Sequence, residues 1–176
     1  MTAIYYSRRS AAARCAGAPT LAINPSVCCS RVATAAIDTP TDPPAILDAV
    51  GAYVDVVPRL RIAPWCSAGL TLLFSGYITG GGTEGAGDTS VATFSVTAKV
   101  QNTANPSLVY ESQPVRVTCT VPTNPTLCVA VGFDQALPAG SYVAFLRVAL
   151  VSSTFAAGTT TFALAGTLSA TWTSSS

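Results

Sequence analysis

Strict alternation of apolar and polar side chains over Pro114–Phe133 constrains the fold of this chain more than any other feature. Two runs with a period of two flank the proline-rich segment 122–126, and this period is typical of strands with one buried face. We predict a hairpin with a five-residue loop, in which Cys119 faces inward opposite Val129 and is not bonded to an outward Cys128. A four-residue loop would place the two cysteines opposite each other, but a one-residue slip moves a whole side-chain set to the wrong face.

The same period returns in several other segments between residues 46 and 172, with turn signals between them and no convincing helix. Strands at roughly ten-residue spacing indicate a sandwich or a barrel. We therefore predict an all-β fold: an antiparallel, jelly-roll-like β-sandwich of about eight strands that carries an extended N-terminal arm. An immunoglobulin-like sandwich is the second possibility. The sandwich is placed at residues 46–176.

Residues 1–45 show no sustained period and end in the stiff proline-rich linker 37–44, so we interpret them as an extended basic arm. Residues 1–37 contain four arginines and no acid, whereas residues 38–176 contain five basic and eight acidic side chains, so the charges are +4 and −3. We expect residues 1–37 to bind a neighbouring subunit, to be dispensable for folding of the sandwich, and to be required for assembly. Its predicted partner-binding residues are Tyr5, Tyr6, Arg8, Arg9, Arg14, Leu21 and Ile23.

Charged residues make up only 10% of the chain, which is low for a free monomer and favours a subunit buried among neighbours. The partners we expect are other protein subunits, including copies of this chain. Four dispersed arginines are a weak signal for direct nucleic-acid contact, which we do not expect. The chain contains no run of 18 apolar residues, so the sequence predicts no transmembrane helix, and we expect no membrane association.

The chain contains no histidine, which removes the usual general base, the common nucleophile pairs and most catalytic zinc sites. We therefore expect neither enzymatic activity nor a cofactor or metal. Six cysteines match no zinc pattern, and free thiols in small apolar sites explain them most simply. In a second interpretation, the arm cysteines lock onto a neighbouring subunit: Cys15, Cys28 and Cys29. Trp65 and Trp172 leave open a sugar-stacking surface.

A long arm, a proline linker and a low-charge sandwich rich in Thr, Ser, Ala and Val resemble the head-decoration (cement) proteins of tailed bacteriophages and other virion jelly rolls. The segment LPAGSYVAFLRV (Leu137–Val148) is similar to a turn and strand of trimeric virion and fibre-tip jelly rolls. This resemblance implies a structural virion protein at the particle surface, bound to the major capsid protein or to copies of itself. NPSVCCS (Asn24–Ser30) resembles instead the Cys-Cys connector of bacterial endospore appendages, which implies a disulfide-linked extracellular fibre. A glycan- or receptor-binding module is the third hypothesis.

Overall fold

The computed structural model describes residues 28–39, 45–62, 68–84, 90–121 and 127–175, and these residues form strands and connecting turns without any helix. The predicted all-β class is therefore confirmed. Its ten strands are β1 (Cys28–Asp38), β2 (Ala45–Ile46), β3 (Tyr53–Ile62), β4 (Ala68–Gly81), β5 (Ser90–Asn102), β6 (Val109–Glu111), β7 (Val115–Val121), β8 (Leu127–Leu137), β9 (Tyr142–Ser153) and β10 (Thr161–Ser175).

The strands form two antiparallel sheets. Sheet A has the order β1-β10-β4-β8, and the short β2 pairs with the beginning of β10. Sheet B has the order β3-β9-β5-β6, and β7 also pairs with β5. Because β6 and β7 pair with different parts of β5 on the side away from β9, they occupy one strand position in tandem. Each sheet therefore has four strand positions.

The pairing is nested along the chain. β1 pairs with β10, β3 with β9, β4 with β8, and β5 with β6 and β7. Two further ladders, between β10 and β4 and between β5 and β9, complete the sheets. Most connections consequently pass from one sheet to the other, whereas the consecutive strands β1 and β2 both belong to sheet A, and β5, β6 and β7 all belong to sheet B.

The core lies between the two sheets, and it follows from the period of two. In β5, alternate residues from Ala92 to Val100 are completely buried. The rings of Phe94 and Phe162 bring the sheets together, with centroids 6.1 Å apart. Gly76 and Gly166 pair in sheet A beside the ring of Phe74, and a Cβ on Gly76 would overlap the Ala165 carbonyl oxygen on the paired strand and lie 2.6 Å from the Phe74 ring carbon Cζ. Side chains at these two positions would therefore displace the paired backbone as well as that ring.

The hairpin predicted over Pro114–Phe133 is wrong about which strands pair, but it correctly assigns the described side chains that face the core. Strands β7 and β8 belong to different sheets: β7 pairs with β5, and β8 pairs with β4. Cys119 therefore lies opposite Ala92 instead of Val129. The inward assignment of Cys119 is confirmed, because its side chain is completely buried, and Val129 is also buried. The Cys128 side chain and the loop at 122–126 lie outside the described residues.

The sandwich also includes residues that we expected in the arm. Strand β1 covers residues 28–38 and pairs with β10 over its full length, although no strand was predicted before Ile46. Ala35 and Ile37 are buried, while Val32, Thr34 and Ala36 alternate with them on the other face. The period of two was hidden because alanine occurs on both faces of this strand.

Candidate assembly interface

The outward face of sheet A is almost free of charge. Its residues alternate with core residues on all four strands, so their side chains point away from the sandwich. Asp38 and Asp134 carry the charges that the described strands place on this side, and both lie near strand ends. We call the remaining set the neutral face: Val32, Thr34, Ala36, Thr71, Leu73, Ser75, Tyr77, Ala130, Gly132, Ala163, Ala165, Thr167, Ser169 and Thr171.

Two larger side chains protrude from the neutral face. Leu73 and Tyr77 are 45% and 46% exposed, and both lie on the central strand β4. The register places Leu73 between Ser169 and Gly132, so that its neighbours on both sides are small. Four residues along a strand separate Leu73 from Tyr77 by about 13 Å. The neutral face therefore combines a background of mostly small side chains with two larger apolar ones.

The outward face of sheet B is charged. The Arg147 guanidinium donates two hydrogen bonds of 2.7 Å to the two carboxylate oxygens of Asp55 and lies 3.8 Å from the centre of the Tyr53 ring. Its hydrogen bond with Asp55 raises the pKa of Arg147 above its already high ordinary value. On the neighbouring strands, Lys99 forms an ion pair with Glu111. The two faces of the sandwich thus differ sharply in charge.

These ion pairs line a cleft of about 380 Å³ on sheet B. The cleft is bordered by Asp55, Lys99, Gln101, Val109, Glu111, Phe145 and Arg147. Both of its cations already contact carboxylates, and the Tyr53 ring beside it is covered by Arg147. The contacts are those of two cross-strand ion pairs, one of which joins β3 to β9 and the other β5 to β6.

The sequence-predicted interface residues fall at or beyond the beginning of β1. Cys28 and Cys29 are its first two residues, and their backbones lie opposite Ser175 and Ser174 at the end of β10. Trp65, the other tryptophan of the possible sugar-stacking surface, lies outside the described residues. So do the remaining residues predicted on the arm: Tyr5, Tyr6, Arg8, Arg9, Arg14, Cys15, Leu21 and Ile23. The described part of the chain therefore does not test what the arm contacts.

Two polar side-chain groups, on Arg31 and Trp172, lie close to the beginning of β1 on its core-facing side, and the sequence did not predict this arrangement. Arg31 has the same inward parity as Ala35 and Ile37, and it lies directly opposite Trp172 on β10. The Arg31 Nε and Trp172 Nε1 atoms are both buried without a hydrogen-bond partner. Arg31 is one of the four arginines that the sequence assigned to the basic arm, and the sequence left open a sugar-stacking role for Trp172. The structure places Trp172 in the core.

Cys119 is a buried free thiol. It is completely inaccessible, and its Sγ atom lies 3.9 Å from the carbonyl oxygen of Ile78. Burial raises the pKa of the Cys119 thiol above its ordinary value, so the thiol stays protonated at neutral pH. This environment is that of a core residue, not of a nucleophile or a metal ligand.

We expect Cys119 to escape alkylation by iodoacetamide in the native protein at neutral pH and to react once denaturant is added. Peptide mapping by mass spectrometry after a short pulse of reagent measures this directly. As the pH rises past the ordinary value of 9.0, the unfolded thiol ionises before the native one, so this group lowers stability at alkaline pH. Rapid labelling of Cys119 in the native chain would contradict the assigned burial.

Comparison with known proteins adds no family to this picture. No protein-family model matches the chain, and a search of curated proteins finds no relative. Within the described segments, no group of three His, Cys, Asp or Glu side chains is arranged to hold a metal ion. The same segments include no helix with the length and apolarity needed to cross a membrane. The fold and surfaces described above define a two-sheet antiparallel β-sandwich with one neutral and one charged face.

Proposed function

We propose that this chain is a structural virion protein, a decoration subunit that binds the surface of a capsid and stabilises the particle. The observation that carries this proposal is the neutral face of sheet A. The neutral face shares the depletion of charged side chains that marks the core of an interface, and Leu73 and Tyr77 provide exposed apolar anchors on it. The expected partners are the major capsid protein and other copies of this chain.

The strand order supports a jelly roll as the finer description of the sandwich. A jelly roll is an eight-stranded, double-sheet fold that is common in viral capsid proteins. Counting β6 and β7 as one position and β2 as an extension beside β1 gives eight positions. Their pairing is first with last, second with seventh, third with sixth and fourth with fifth, as in one long antiparallel ribbon rolled into two sheets.

The size of the neutral face is suitable for a specific contact. Four strands at the usual spacing, each contributing about ten residues, span roughly 19 by 33 Å, or about 600 Å². A standard protein interface buries about 800 Å² on each partner. The neutral face therefore provides most of such an interface, and the N-terminal residues provide the remainder in this proposal.

The arm contributes apolar and cationic side chains to the same assembly. Residues 1–27 precede β1, which is the outermost strand of sheet A, so the arm starts at the border of the neutral face. It contains Tyr5, Tyr6, Leu21 and Ile23 as apolar anchors and three arginines that can pair with carboxylates of a neighbour. In this proposal the arm grips the next subunit while sheet A lies on the shell.

We expect Leu73→Arg and Tyr77→Arg each to reduce co-sedimentation of the purified protein with undecorated particles by about tenfold, because each buries a charge in the centre of the contact. Val109→Arg is the matched control, since Val109 is 39% exposed on sheet B and lies outside the neutral face. It should sediment like the unchanged chain, and all three variants should melt alike.

Equal sedimentation of all variants would remove the neutral face from the proposal. Formation of closed shells by the purified chain alone would show that it builds the capsid instead of decorating one.

A disulfide-linked extracellular fibre is a second candidate, favoured by the position of Cys28 and Cys29 at the start of an outermost strand. Cysteines at a sheet edge are well placed for a bond to the next subunit. Non-reducing gel electrophoresis of native material separates the two candidates. A ladder that collapses on addition of thiol supports the fibre, whereas monomers under both conditions support the non-covalent virion subunit.

A further inference from the structure

Strand β1 presents an open hydrogen-bonding edge. Among the described residues, β10 lies on one side of β1 and no strand pairs with the other side. The Thr39 amide, next in the same register, donates to the Leu164 carbonyl oxygen on β10. Because antiparallel hydrogen bonds alternate along a strand, the odd-numbered residues of β1 bond to β10. The backbone N–H and C=O groups of Val32, Thr34 and Ala36 therefore point to the open side.

Each of the other sheet edges carries a feature that discourages further pairing. Strand β3 contains Pro58 and a register irregularity between Val56 and Leu60. The edge position formed by β6 and β7 is interrupted between its two short strands. Strand β8 carries the exposed carboxylate of Asp134. Prolines, bulges, short strands and charges are the usual protections of edge strands. In contrast, β1 pairs with β10 over eleven residues without a shift and has no outward charge before Asp38.

We propose that two copies of this chain pair antiparallel along their β1 strands, about a two-fold axis at Ala33. In this register all eleven residues of each β1 overlap, and Val32 of one copy lies opposite Thr34 of the other. The two A sheets then form one continuous sheet of eight strand positions, and the two neutral faces become one surface. The inference does not rest on the virion proposal, since it concerns the purified chain.

A second copy fits this edge better than a different partner does. An added strand must itself be straight and uncharged, and the described chain offers one edge of this kind, which is β1. Antiparallel pairing also places the two Asp38 carboxylates at opposite ends of the paired strands, about 33 Å apart, where they do not repel. The contact is isologous, so it closes as a dimer and leaves no open β1 edge for further growth.

The register can be tested with two double variants that differ only in the sign of the charge at residue 34. Val32→Lys with Thr34→Lys places like charges opposite each other twice across the two-fold axis, which disfavours cross-strand pairing. Val32→Lys with Thr34→Glu places opposite charges at the same two points. Sedimentation velocity of the full chain, with a reducing agent present, is expected to show a dimer for the unchanged chain. The first variant should weaken it by about tenfold or more, and the second should dimerise within about threefold of the unchanged chain.

Amide hydrogen exchange on the unchanged chain provides a measurement that needs no variant. The amides of Val32, Thr34 and Ala36 should gain protection as the protein concentration rises, while the odd-numbered amides of β1 should be protected at all concentrations.

Three results would overturn the proposal. The first is a full chain that stays monomeric at every soluble concentration. If removal of residues 1–27 then produced a dimer, the proposal would still be wrong for the full chain, because its own arm would cover the β1 edge. Equal dimerisation of the two charge variants would exclude this register. Loss of the dimer in Ser75→Lys, at an exposed position of the neutral face between Leu73 and Tyr77, with both β1 variants unaffected, would show that the sheets pack face to face.

Discussion

A chain that begins at Thr39 is expected to lose its cooperative melting transition or to melt at a far lower temperature than the full chain. A chain that begins at Cys28 should melt at the same temperature as the full chain. The first deletion removes β1 and with it the complete ladder to β10. It also removes Ile37 and Ala35 from the core, where they are 1% and 3% exposed. Burying one large aliphatic side chain contributes about 1.5–3 kcal/mol, against a total stability of about 5–15 kcal/mol for an ordinary domain.

Thermal melting followed by circular dichroism at a β-sheet wavelength measures the effect, and the chain beginning at Cys28 is its matched control. The deletion also uncovers the inward side chains of β10, including Leu164 and Leu168, which are completely buried in the full chain. We therefore expect the chain that begins at Thr39 to aggregate as well as to be unstable. Normal melting of the chain that begins at Thr39 would show that β1 is an appendage, as the sequence had led us to expect for residues 1–37.

The sequence could predict which side chains face the core, but not which strands pair. Alternation is a property of one strand, and it correctly assigned Val117 and Cys119 to one buried face and Val129 and Val131 to another. Two consecutive strands with inward faces suit a hairpin in one sheet and also a crossover between two facing sheets. The choice depends on β5 and β4, which lie beside β7 and β8 and are distant in sequence.

Strand β1 escaped prediction for a different reason. Its inward positions include Ala33 and Arg31, and its outward positions include Ala36, so apolarity does not separate the two faces. Only Ile37 gives a strong local signal for burial. The strand forms because β10, a strand of fifteen residues, pairs with it without any shift in register, and this pairing is tertiary information. β-Propensity is known to depend on such neighbours more than helix propensity does.

The interface was predictable in kind but not in place. A charged fraction of only 10% indicated association, but it did not show that the described charges gather mostly on sheet B. The separation of charge between the sheets can be recognised only once each strand is assigned to a sheet. From the sequence, Thr71, Leu73 and Ser75 are simply the outward residues of one strand, and only the structure shows that this strand, β4, lies inside sheet A. The arm residues that we singled out from the sequence precede the described strands, so their role stays a prediction.

Val117→Asp is expected to destabilise the sandwich far more than Thr118→Asp. Val117 is 7% exposed and lies opposite Phe94 on β5, among apolar core residues. The inward Arg31 lies opposite Trp172, at the other end of β10 from the Phe162 ring that contacts Phe94, so it is not placed to pair with an aspartate here. An unpaired buried carboxylate of this kind costs about 3–5 kcal/mol, a large part of the stability of a domain. Thr118 points outward on the same strand, and its hydroxyl forms one hydrogen bond of 3.1 Å with Thr93. Its replacement should cost no more than about 1 kcal/mol.

Urea denaturation of the two variants measures the difference in the free energy of unfolding, and Val117→Ala separates the lost apolar contact from the buried charge. We expect the order Thr118→Asp, Val117→Ala and Val117→Asp, from the smallest loss of stability to the largest. The Val117→Asp variant should also recover part of its stability at acidic pH. Burial raises the pKa of an unpaired carboxyl, so the native state binds a proton before the unfolded state does, and stability falls as the pH rises. Equal midpoints for the two aspartate variants would mean that β7 does not direct Val117 into the space between the sheets.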